Sequence, residues 1–299
     1  MWYDENDDLS SKFGKDDESG NLNYIDNIKV IKSLKMADKG IIYNLAHEIY
    51  NGMADRITHS PYFFQMLLRP YDNNFYKAYA NKYGPGIGRI EMCDHTGTHL
   101  DSLNHMAYNN KFFNNIDAFD NTGNPGSDKL GIETTGPVIT RGLNIDITEL
   151  YSTDILDQGH AITISELKEF LDKHDLKIEQ GDAVFFYTGV SKLFNNPEKY
   201  NKYYDSSPGI GYGLAEYLNG KNISLSGSDT PSSEVIPSEI KNTRLPVHQY
   251  LIAKCGIRLI DNIKLYELSS DNVHEFLFVC SPIPFRGATA SPVSPLAII

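Results

Sequence analysis

The sequence predicts an α/β fold, and three stretches carry that prediction. "TISELKEFLDKHDL" leads into "GDAVFFYTGV", "GYGLAEYLNGKNISLSGSDTPS" follows, and "PVHQYLIAKCGIRLIDN" comes later. Each runs from a helical apolar pattern through a Gly or loop into a short apolar strand, the alternation expected of a sheet with some parallel pairing.

The elements follow in chain order. Residues 1–20 are rich in Asp and Glu and read as a solvated, flexible acidic arm, leaving residues 21–299 as one domain without an evident linker. In "NYIDNIKVIKSLKMADKG", Ile25, Ile28, Ile31 and Leu34 fall at helical spacing ahead of a Gly, which predicts an amphipathic helix. "GIIYNLAHEI" reads as a strand, and the aromatic run "PYFFQMLLRPYDNNFY" reads as core. The Asn-rich stretch 109–129 and the Pro-rich stretch 281–295 read as loops. Thr163, with Glu166 three residues on, forms a capping-box pattern. The run "GDAVFFYTGV" suits a strand buried on both faces.

Composition narrows the function. Twenty-seven Lys and Arg against 39 Asp and Glu give a net charge of −12, which repels phosphate backbones and anionic lipid. No nucleic-acid or membrane partner is expected, and no apolar run approaches a bilayer span. The N-terminus lacks the basic and apolar regions of a secretory signal. Cys93, Cys255 and Cys280 are odd in number and far apart, which favours a reducing, cytoplasmic compartment.

The chemistry concentrates in "CDHTGTHLDSLNHM", residues 93–106, which holds three of the nine histidines. A helix fails here: His95 and His99 would share a face, but Asp101 would point away, and Gly97 between threonines is poor helix material. In a strand, His95, His99, Asp101 and His105 share one parity, yet the two imidazoles would stand about 13 Å apart. The chain must therefore bend at Gly97, with the threonine hydroxyls tying the turn. Such a bend converges two imidazoles and a carboxylate on one point and leaves positions for water, an open metal site of catalytic type. Cys93 has the right parity to approach it but reads as a small buried residue.

"HTGTHLDSLNH" closely resembles the HxGTHxDxPxH signature of the metal-dependent cyclase family, which includes bacterial kynurenine formamidase and isatin hydrolase. The resemblance extends through "GNLNYI", "GDAVFFYTGVSKLF", "PGIGYGLAEYLNGKNISLSGSDTPS" and "PVHQYLIAKCGIRLIDNI", nearly the whole chain from residue 20. It implies a single swivelling β/α domain with a mixed sheet or barrel-like core, assembled as a homodimer or homotetramer. It also implies metal ligands at His95, His99 and Asp101, with His105 as the proton-transferring group. In two-metal members, a later histidine and a bridging glutamate complete a second site, and those positions match His248 and Asp261. Leu103 replaces the signature proline, and Asp261 is one methylene shorter than the usual glutamate. Asp261 therefore reads either as a ligand or as a cap on its strand, and the metal count as one or two.

Nitrogen and oxygen donors suit Zn²⁺ or Mn²⁺. The ion would activate water and polarise a carbonyl while His105 moves the proton, so the expected reaction is hydrolysis of an amide, formamide or small lactam, with an aryl group in the substrate. The alternatives are a lyase or cyclase step, or metal and ligand binding without turnover. Phe63 or Phe64 is a candidate apolar wall for the substrate. Asp229 and Thr230, at a strand end in "SGSDTPS", are either an outer layer around the ligands or an Asp-Thr-Pro turn. "GPGIG" and "GIGYG" do not make a nucleotide loop, and no GxSxG occurs. His47, His59, His160, His174 and His274 have no partners by spacing and read as structural.

Overall fold

Ala183–Tyr187 is the strand that the apolar run predicts. Val184 and Phe186 join one core cluster while Ala183, Phe185 and Tyr187 join another, so both faces are buried. The structure, a computed structural model, describes residues 7–55, 61–71 and 74–299; His59 lies outside the described residues.

The strand belongs to a mixed nine-stranded sheet. In chain order its members are β1 (Ile42–Asn44), β2 (His99–Asp101), β3 (Val138–Asp146), β4 (Ala183–Tyr187), β5 (Leu225–Ser228), β6 (Arg258–Asp261), β7 (Glu275–Cys280), β8 (Ala290–Pro292) and β9 (Leu296–Ile298). Across the sheet the order is β1-β9-β7-β3-β4-β5-β6-β2-β8. The pairs β3–β4, β4–β5 and β5–β6 are parallel and the others antiparallel. Helices α1 (Asn27–Leu34), α2 (Ile164–Lys173) and α3 (Tyr212–Gly220) form where the sequence predicts them. Thr163 and Glu166 close the capping box at the start of α2. Phe170 and Leu214, from α2 and α3, pack with Val184, Phe186 and Leu259 on one side of the sheet. Phe276, Phe278, Leu100 and Ile260 fill the other side.

Four expectations need correction. The apolar stripe of α1 does not pack inward: Ile28, Ile31 and Leu34 are exposed, while Lys29 and Ser33 are buried. The buried carboxylate of Asp182 decides the face, because Lys29 Nζ lies 2.5 Å from it and Arg141 also donates to it. Lys29 adds a second cation to Arg141 at this buried carboxylate, a pairing that burying Ile28, Ile31 and Leu34 instead would give up.

The aromatic run is not core either. Phe63–Leu68 pairs with Ile87–Glu91 in a separate two-stranded hairpin, and Phe63, Phe64, Met66, Leu67, Ile87 and Ile90 are exposed. The Pro-rich stretch contains β8, which a loop reading missed because Pro292 donates no N–H; proline is tolerated there because β8 is the sheet's edge.

Residues 7–20 differ from a solvated arm. Leu9 is buried, its N–H donates to Asn115 Oδ1, and the buried Arg258 guanidinium donates to the carbonyl of Ser19. The arm's carbonyls and carboxylates satisfy donors on the domain, including Lys254 Nζ, 2.5 Å from Asp7.

Candidate metal centre

The bend that the spacing requires is present. Gly97 has φ +65°, in the left-handed region, and a Cβ there would stand 3.2 Å from Ile49. The Gly97 carbonyl accepts hydrogen bonds from Asn262 Nδ2 at 3.0 Å and His99 Nδ1 at 2.9 Å. Of the two threonines, Thr98 ties the turn by donating to the Asn262 carbonyl at 2.6 Å; the buried Thr96 hydroxyl has no hydrogen-bond partner. The chain then straightens into β2, where Leu100 enters the core and His99 and Asp101 take the opposite side.

Asp101 is the centre of the cluster. It is fully buried, and neither of its oxygens has a hydrogen-bond partner. Its Oδ1 lies 3.4 Å from His95 Nε2 and 3.7 Å from His99 Nε2. Its Oδ2 lies 3.8 Å from both His105 Nε2 and His248 Nε2. Asp261 Oδ2 lies 3.5 Å from His248 Nε2 and 3.8 Å from His99 Nε2. His248 comes from the short helix Pro246–His248, which passes directly into a π-helix over Gln249–Lys254, a departure often found at functional sites.

The outer ring of hydrogen bonds aims the nitrogens inward. Nδ1 of His99 donates to Gly97, Nδ1 of His95 to Asp94 at 2.8 Å and Nδ1 of His248 to Glu234 at 2.6 Å, which turns each Nε2 towards Asp101. Glu234 also accepts the backbone N–H groups of Val247 and His248. Asp94 is held by the N–H and hydroxyl of Thr289. Ser233 donates to Asp261 Oδ1 at 2.5 Å, leaving Oδ2 for the cluster.

A buried carboxylate among imidazoles distorts every titration. Burial raises the pKa of Asp101. Burial also opposes the charged form of His95, but the hydrogen bond to Asp94 and the charge of Asp101 outweigh it and hold the imidazole up to about 10. Burial, with His95 3.0 Å away, pushes His105 down to about 3. For His248, burial is outweighed by Asp261 and Glu234, which raise its pKa.

Six of the residues singled out in the sequence therefore meet: His95, His99, Asp101, His105, His248 and Asp261. Orphaned carboxylate oxygens ringed by imidazole nitrogens fit a divalent metal, which would give Asp101 the partners that the protein withholds. Phe63 and Phe64 do not line the cavity over the cluster. Asp229 serves a turn instead, accepting from the N–H and hydroxyl groups of Thr188 and Ser191. Thr230 reaches the site only through its carbonyl, which accepts the N–H of Asn262. Sequence reasoning missed Glu234 and Asn262, whose only signal is proximity to candidate residues along the chain.

The cavity over the cluster, about 50 Å³, is lined by His95, His105, Tyr204, Ser232, Leu245 and Asn262 among others. Tyr204, Pro231, Ser232 and Leu245 also line an outer cavity of about 260 Å³.

The chain is similar to several known proteins. The kynurenine formamidase of Geobacillus thermodenitrificans (strain NG80-2) is 29% identical over 229 residues, covering 75% of this chain and 87% of that protein. A crystal structure described as a novel cyclase superposes with a TM-score of 0.85 at 23% identity, covering 96% of both chains. Isatin hydrolase A from Ralstonia solanacearum superposes with a TM-score of 0.68 at 17% identity, covering 90% of this chain and 96% of that one. The model of the family described as "Putative cyclase" matches residues 43–235, from within β1 to the residue after Glu234, and the chain belongs to that cyclase family.

Proposed function

We propose that the protein is a metal-dependent hydrolase that cleaves a non-peptide C–N bond in a small formamide or lactam bearing an aryl group. The observation that carries this reading is Asp101, buried with both oxygens unbonded between four imidazole Nε2 atoms. The names of the relatives, kynurenine formamidase and isatin hydrolase, support the amide class.

His95, His99, Asp101, His248 and Asp261 would hold the metal. When bound, a divalent ion supplies Lewis acidity, lowering the pKa of water and polarising a carbonyl. Asp101, with both oxygens unbonded, and the imidazoles around it would hold one or two ions. Asp261 would serve only one, because Ser233 engages its other oxygen. Nitrogen and oxygen donors without a thiolate suit Zn²⁺ or Mn²⁺.

His105 lines the cavity, where its imidazole would be the group that accepts a proton. It takes the proton from the attacking water and returns it to the leaving nitrogen, so amide and water become acid and amine. The inner cavity accommodates the scissile group, and the outer one the body of the substrate.

A homodimer or homotetramer belongs to the same reading, supported by the exposed apolar residues of the hairpin, since an isolated two-stranded ribbon needs cover. The three free cysteines support a cytoplasmic location. No helix among the described residues is long and apolar enough to cross a membrane.

The test is to load the chelated protein with Zn²⁺ or Mn²⁺, count ions per chain and screen aryl formamides and lactams. Metal-dependent release of acid and amine, lost in Asp101→Asn together with the metal, supports the reading. Two ions bound with no turnover of any amide would leave a binding protein, and ring closure or elimination would leave a lyase.

A further inference from the structure

A second group of metal-ligating side chains lies away from this centre. Glu149 sits in the helical turn Thr148–Tyr151 that follows β3, His174 caps the C-terminus of α2, and His274 immediately precedes β7. One ligand atom from each falls within 4.8 Å of the others. The sheet separates this group from the Asp101 centre: β4 and β5 lie between β3 and β6, about 14 Å across three strand spacings.

We propose that Glu149, His174 and His274 bind a divalent transition cation of the zinc class, independently of the ion or ions at Asp101. Glu149 Oε2 is 3.0 Å from His174 Nε2, and the two imidazole rings stand 4.0 Å apart between centroids, tilted by 46°. The Glu149–His174 contact does not reach Nδ1 of His274, which is buried and has no hydrogen-bond partner. An ion drawing on these three residues satisfies that nitrogen, and its remaining position is left to water, since Glu149 and His174 are both partly exposed. Lys173 engages the other oxygen of Glu149 at 2.6 Å, so the carboxylate is oriented before any ion arrives. Phe170 packs against both rings and fixes their angle. Two imidazoles and one carboxylate select Zn²⁺, Co²⁺ or Ni²⁺ over Mg²⁺ or Ca²⁺, which prefer all-oxygen sets. Such an ion pins together the end of α2, the turn after β3 and the start of β7.

Equilibrium dialysis of the chelated full-length protein against low-micromolar zinc, with ions counted per chain by elemental mass spectrometry, tests the site. His174→Asn and His274→Asn should each bind one zinc fewer per chain than wild type, with the hydrolase centre unaffected. His174→Asn retains a residue suited to a helix C-cap and guards against loss of folding. In a His99→Ala/Asp101→Asn protein, one zinc per chain should remain and should disappear when His274→Asn is added. Equal zinc content in wild type and both single variants, or no zinc in the His99→Ala/Asp101→Asn protein, overturns the proposal whether or not any amide is hydrolysed.

Discussion

Glu234 Oε1 stands 2.6 Å from Nδ1 of His248, and both side chains are almost fully shielded from water. The carboxylate fixes the imidazole tautomer, turns Nε2 towards Asp101 and Asp261, and raises the basicity of the nitrogen that would meet a metal. Glu234→Gln keeps an oxygen acceptor but removes the charge. It should weaken metal affinity about 10- to 100-fold, read by titration in metal buffers, with the fold intact by circular dichroism. Unchanged affinity would reduce Glu234 to a helix-start anchor.

His105 differs from the other imidazoles of the cluster: its Nδ1 faces His95 Nε2 at 3.0 Å, whereas Nδ1 of His95, His99 and His248 is anchored by a carboxylate or a backbone carbonyl. His105→Gln should therefore keep the wild-type metal content and lose about 10²- to 10⁴-fold in kcat. A variant that loses metal and activity in parallel would make His105 a ligand.

Gly97 carries the turn with a positive φ and with Ile49 directly above it. Gly97→Ala should cost about 1–2 kcal/mol in chemical denaturation and lower metal affinity as His95 and His99 move apart. The cost should shrink in a Gly97→Ala/Ile49→Val protein, where the contact is relieved and only the backbone strain remains.

His47 lies buried against Phe194, with ring centroids 3.9 Å apart, and burial together with Lys264 pushes its pKa down to about 3. It is neutral in both folded and unfolded chains above pH 6.5 and contributes nothing there to pH dependence. Between pH 6.5 and 3 the unfolded chain binds the proton that the folded one refuses, so stability falls as the pH falls. From pH 7.5 to 5.5 the wild type should lose about 1 kcal/mol more than His47→Gln, measured by denaturant midpoints at the two pH values.

Signals confined to one stretch of chain were legible in the sequence. Thr163 and Glu166 close their own capping box, and "AVFFY" is apolar on both parities, so α2 and β4 follow from neighbouring residues. The histidines of 95–105 betray their convergence because Gly97 is the one residue there that permits the bend. What stayed hidden depends on distant partners. The face of α1 is chosen by Asp182 in a loop, β8 is made a strand by pairing with β2, and Glu234 matters only because the fold brings it beneath His248. The hairpin reads as core because its aromatic residues are core-like; nothing in their spacing says that they stand outside the domain.

The pairing of β2 with β6 places His99 directly opposite Asp261, although about 160 residues of chain lie between them. Opposed residues on antiparallel strands share a face, and a slip of one position would turn the carboxylate away from the imidazole. The register of one strand pair is thus the ruler that sets the site. During synthesis the "HTGTHLD" half emerges early but has no counterpart until β6 has been made and docked. A pairing so distant along the chain is slow to form, so Asp261 joins His99 only after most of the chain has been made.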